Sequence, residues 1–140
     1  RDVMMSRVIR IFLATGFAML VIDAVWLTLM ADALYRPQIG HLMREQFLLG
    51  PAVAFYLLYL FGVLVLAQWP AATRREAAWR GFVFGLCAYG TYDLTNQATL
   101  KDWPVIVTII DLDWGSTLTA VVSFLGFVPV DGGRSDPRKA

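Results

Sequence analysis

Four long apolar runs alternate with short polar stretches along this chain. The first, Ile11 to Ala31, is broken by little more than Asp23. A helix of that length, at about 1.5 Å per residue, crosses a hydrocarbon core of ~30 Å. Similar runs cover residues 47–67, 78–98 and 105–128. The pattern predicts an all-α, integral membrane four-helix bundle, a single transmembrane domain over residues 1–140 that ends in a polar tail from 129.

Polar signals punctuate these runs. Asp32 to Gln46 reads as a connection of mixed charge, in which Pro37 suits the first turn of a short interfacial helix. Gly50-Pro51 falls near the start of the second run, where proline is tolerated. Gln68 to Ala77 reads as a polar, basic turn. Within it Thr73-Arg-Arg-Glu76 has capping-box spacing, and Trp69 and Trp79 flank the turn as interfacial residues do. Lys101-Asp102-Trp103-Pro104 predicts a tight turn, with Asp102 as N-cap and Pro104 in the first turn of the last helix. Met4 and Met5 are candidate natural starts. The first run is longer than a signal-peptide core and continues through Asp23 and Trp26, so it reads as an uncleaved helix.

Composition agrees. Apolar residues make up 58% of the 140 and charged residues only 16%, with a mean hydropathy of +0.59. A soluble domain carries about 25% charged residues. The net charge of +1 matters less than its placement. Nine of the twelve lysines and arginines lie in the N-terminal lead-in, the middle turn and the tail. The positive-inside rule then puts both termini in the cytoplasm, in a bacterial inner membrane. Cys87 and His41 are single, which excludes an intrachain disulfide, a thiol cluster and a multi-histidine haem or metal site. No metal and no nucleic-acid partner are expected, and no cofactor can be named from the sequence.

The candidate chemistry is carried by aspartates. An acid at mid-membrane costs about 2.5–3.5 kcal/mol, so it faces a bundle interior, a wet cavity or a partner. Counted at 1.5 Å per residue from the span midpoints, Asp23 lies roughly 3 Å outward, Asp113 about 4–5 Å, and Asp93 and Asp111 about 7 Å. They share this outer slab with Tyr92, Asn96 and Thr108, while Tyr56 and Tyr59 fall near the middle. No comparable polar set is expected in the inner half. Helical spacing places Gly81, Gly85, Tyr89, Asp93 and Asn96 on one stripe. It places Gly16, Leu20, Asp23, Trp26 and Leu27 on another, and Thr108, Asp111, Trp114, Gly115 and Thr119 on a third. Asp113 points about 160° away from Asp111.

The motifs Asp23-x-x-Trp26-Leu27, Tyr89-Gly-Thr-Tyr92-Asp93-Leu-Thr-Asn96-Gln-Ala-Thr-Leu100, Trp103-Pro104 and Asp111-x-x-Trp114-Gly115 carry a family resemblance. The chain resembles a bacterial family of small four-span membrane proteins, DUF2177. The resemblance implies the four-helix membrane architecture and no particular activity.

The preferred reading is an outward-facing acidic and aromatic pocket that binds or modifies a lipid or other amphipathic small molecule. Asp93 and Asp111 are the acid/base candidates; Asp23, Trp26, Tyr89, Tyr92, Asn96, Thr108 and Trp114 are the ligand-binding candidates. Binding and catalysis both fit these residues. The bland alternative is aspartates holding helix register, but interhelical hydrogen bonds are worth only about 0.6 kcal/mol, too little to offset several buried acids. His41 with Glu45 reads as a pair of headgroup-level loop residues. Two further readings are an accessory or structural subunit contacting partner membrane subunits, and proton or cation passage as an oligomer.

Overall fold

The computed structural model describes residues 1–129, all helices and short connections, with no strand among them. The predicted polar tail, with Arg134, Arg138 and Lys139, lies outside the described residues. Helix α1 is Asp2–Met30, α2 is the short Arg36–Ile39, α3 is Leu49–Gly62, α4 is Arg74–Thr99 and α5 is Val105–Gly126. Helix α5 is the hub. It packs along α4 most extensively, and along α1 next.

Three segments are long and apolar enough to cross a membrane: Asp2–Leu42, Leu49–Gln68 and Val105–Gly126. Helix α4, with 26 residues, has the length but not the apolarity. Its charged first turns and polar last turns dilute the run, and Asp93 is turned inward against α5. The outer surface is oily, with Phe17 72% and Leu58 70% exposed. Side chains that water would drive inside stand outward, as a lipid-facing bundle requires.

Glycines set the closest contact. A Cβ on Gly85 would stand 2.5 Å from the Gly115 carbonyl oxygen, and one on Gly81 would stand 2.7 Å from that of Thr119. The α4 backbone therefore lies directly on α5, the packing that small residues permit in lipid. Met19, Tyr59, Leu60, Val63, Leu118 and Val122 fill the central core.

The head of α4 forms as its sequence predicts. Thr73 is the N-cap, and its Oγ1 accepts from the Glu76 N–H at 3.1 Å. Glu76 answers by accepting from the Ala72 N–H at 2.9 Å. These contacts, the backbone one first and Arg80 next, hold the exposed Glu76 carboxyl below the usual carboxylate range.

Four expectations change. First, the α1 helix does not stop near Ala31: it continues through a π turn, Ala31–Tyr35, into α2 and a 3-10 turn, Gly40–Leu42. Pro37 lies in the first turn of α2, and having no N–H it cannot continue the preceding ladder, so the turn widens. Second, α3 runs on as a π segment, Val63–Gln68, and buries Gln68 completely. Third, Asp102 does not cap α5. Pro104 is the N-cap, and Asp102 meets His41 at 3.4 Å, so His41 pairs with it rather than with Glu45. Fourth, Leu20 and Leu27 face outward; the inward stripe of α1 is Ile11, Thr15 and Met19, with Asp23 and Trp26 half-buried beyond it.

Candidate functional site

Asp93 and Asp111 form the centre of the site. Asp93 is fully buried on α4 and Asp111 is 7% exposed on α5. Asp93 lies on the face of α4 that packs against α5, the helix that carries Asp111. Both Asp93 oxygens are buried and have no hydrogen-bond partner among the described residues.

Asp111 has a partner that the sequence did not suggest. The Tyr35 hydroxyl donates to Asp111 Oδ1 at 2.5 Å, and the same hydroxyl accepts from Trp26 Nε1 at 3.1 Å. Tyr35 lies at the end of the π turn, which swings its ring back toward α5. A tyrosine in a polar-looking connection carries no periodic signal, so only Pro37, two positions on, hinted at an unusual helix path.

Trp26 and Trp114 stack on each other, with centroids 4.1 Å apart and planes 7° from parallel. The two Asp-x-x-Trp motifs therefore meet at their indoles, which leaves no gap between the rings for a ligand. The Trp114 N–H is buried without an acceptor among the described residues. Gly115 makes room for Tyr89, whose ring occupies the place of a Cβ there.

Asp23 stands apart from the pair. It is half-buried and accepts from the Tyr56 hydroxyl at 2.8 Å. Thr108 accepts from Trp103 Nε1 at 3.0 Å. Tyr92 packs edge-on against Trp103 at 5.6 Å, and Asn96 lies one turn further along α4. Asp113 is exposed on the opposite side of α5, as its angle predicts.

A groove of about 670 Å³ opens at Tyr35. Tyr35, Tyr92 and Trp103 line it, with apolar walls such as Leu27, Ile39 and Phe47, and with Arg36 and Arg44. Among the described residues no three His, Cys, Asp or Glu side chains gather around one point.

Residues 8–128 match DUF2177, described as a predicted membrane protein. The chain belongs to the DUF2177 family. No curated protein and no solved structure matches it.

The structure of this DUF2177 member also holds a second polar layer, which corrects the expectation of an apolar inner half. Gln68 Nε2 donates to Thr15 Oγ1 at 2.8 Å and to the Ser123 carbonyl oxygen at 3.3 Å. The Tyr59 and Thr119 hydroxyls are hydrogen-bonded to each other. Gln68 sits beside an apparent loop signal in the sequence, so its burial is visible only once the π segment is in place.

Proposed function

We propose that this DUF2177 member binds a lipid or other amphipathic small molecule in the Tyr35 groove. The protein is read as a bacterial inner-membrane protein with both termini cytoplasmic, so that the groove opens on the opposite side. One observation carries this reading. Tyr35 both lines the groove and donates to Asp111, so a molecule in the groove lies one hydroxyl away from the carboxyl pair. The apolar walls suit a hydrocarbon chain, and Arg36 and Arg44 suit a polar or anionic head. Asp93 and Asp111 are the acid/base candidates, since buried carboxyls on two packed helices can give or take a proton. Trp26 and Trp114, stacked on each other, support the site from behind rather than clasp a ligand.

The test is lipid retained on purification. Asp93→Asn with Asp111→Asn, and separately Tyr92→Ala, should each change the molecules that co-purify, as read by mass spectrometry. An unchanged bound set in both variants would end this reading.

Asp113 favours a second reading, that of a subunit in a larger membrane complex. It is exposed within the span of α5 and makes no ion pair among the described residues. An acid that faces lipid is expensive, whereas one that faces a partner's polar group is not. Purification in gentle detergent separates the two, because a protein that always migrates alone excludes this assembly. The Gln68 layer gives the third reading, proton or cation passage as an oligomer, its own test: flux into liposomes that Gln68→Leu abolishes.

A further inference from the structure

The end of the bundle away from Tyr35 holds a buried cation that none of these readings uses. Arg7 is only 7% exposed on the inward face of α1. Its Nε donates to the Val128 carbonyl oxygen at 2.9 Å, and its guanidinium lies 4.9 Å over the Trp69 ring. These two contacts fix the plane of the guanidinium. Its Nη2 is buried and has no hydrogen-bond partner among the described residues. Neither Arg7 nor Arg10 makes an ion pair among the described residues.

The guanidinium borders a cavity of about 390 Å³. Arg10 joins Arg7 in the lining, Met4, Trp69 and Pro129 supply apolar wall, and no acidic residue among the described residues takes part. An unpaired buried charge is costly. A planar, oriented guanidinium with donors to spare is also the group that best matches the oxygens of a phosphate. A tryptophan beside it is the residue type that sits at headgroup level.

We propose that Arg7 and Arg10, with Trp69, form a binding site for a phosphate oxyanion, carried either by a phospholipid headgroup or by free phosphate. Arg7 presents the fixed donors and Arg10 the adaptable charge. The apolar wall favours a phosphate attached to a hydrocarbon-bearing molecule. This site is independent of the carboxyl pair.

The full chain in a neutral detergent tests it with three probes: phosphatidylglycerol, inorganic phosphate, and diacylglycerol as the phosphate-free control. Retention is read by native mass spectrometry and protection by the unfolding temperature. Phosphatidylglycerol should bind and stabilise, and diacylglycerol should not. Arg10→Gln, at an exposed position that leaves the packing intact, should weaken binding about tenfold. Arg7→Lys keeps the charge but loses the fork, and should weaken it by at least as much. Displacement of the lipid by inorganic phosphate would assign the site to free phosphate; failure to displace it would assign the site to lipid. Leu58→Ala, at an exposed position outside both cavity linings, should bind as the parent does. Equal binding of diacylglycerol, or unchanged binding in both arginine variants, would overturn the proposal.

Discussion

Tyr35 and Asp111 are 76 positions apart, and the tyrosine hydroxyl donates to the aspartate at 2.5 Å. The bond ties the π turn after α1 to the buried face of α5, and the same hydroxyl holds Trp26 in its stack with Trp114. Tyr35→Phe removes the donor for Asp111 and the acceptor for Trp26 together. A buried acceptor left without its donor costs about 1–3 kcal/mol. The variant should unfold at lower temperature and shift tryptophan emission. An unchanged melting curve and spectrum would show that the hydroxyl does not hold the site together.

Gly85 should tolerate no side chain. Alanine there would push a Cβ into the Gly115 carbonyl oxygen, which is backbone and cannot rotate away. Overpacking of this kind costs about 1–3 kcal/mol. Gly50→Ala is the control, because nothing lies within 4 Å of its Cβ position. Gly50→Ala should be neutral or stabilising in detergent unfolding, and Gly85→Ala should be destabilised; equal stability would contradict the close approach of α4 and α5.

Gln68 should matter both for its volume and for its donors. Gln68→Ala opens a cavity and leaves Thr15 and Ser123 without their shared donor, a loss of about 2–4 kcal/mol. Gln68→Leu fills the space and also removes the unpartnered Oε1, so it should cost clearly less. Denaturant midpoints in the opposite order would show that hydrogen bonding, not packing, dominates this layer.

Glu76 predicts a pH dependence at the head of α4. Its folded-state carboxyl is held below the ordinary range. Its stabilising contribution is therefore present above the unfolded value of about 4.3, and is lost as pH falls through the folded value. Glu76→Gln should lower the unfolding midpoint slightly at about pH 6, and the difference should shrink as the solution is made more acid. Thr73→Ala should cost about 1 kcal/mol across this range, because the cap does not titrate. A Glu76→Gln effect that grows in acid would reverse the assigned sign.

Much of this molecule was legible from its pattern. Long apolar runs, an uncompensated acid in three of them and a Thr-x-x-Glu start determined helices, membrane and the cap of α4, because each rests on neighbours one helical turn away. The faces of α4 and α5 were legible for the same reason: Gly81, Gly85 and Asp93, and Thr108, Asp111 and Thr119, recur at helical spacing and are buried together.

Tertiary structure alone decided which of those faces meet. Helical spacing says where a side chain points along its own helix and nothing about what stands opposite. So the sequence placed Asp23 with the other acids, while packing gave it to Tyr56 and gave Asp111 to Tyr35. Two π segments, neither marked by periodicity, carried Tyr35 to Asp111 and Gln68 into the core. A helix widened by one residue per turn re-aims every side chain beyond it, and that rotation appears only when the helices pack.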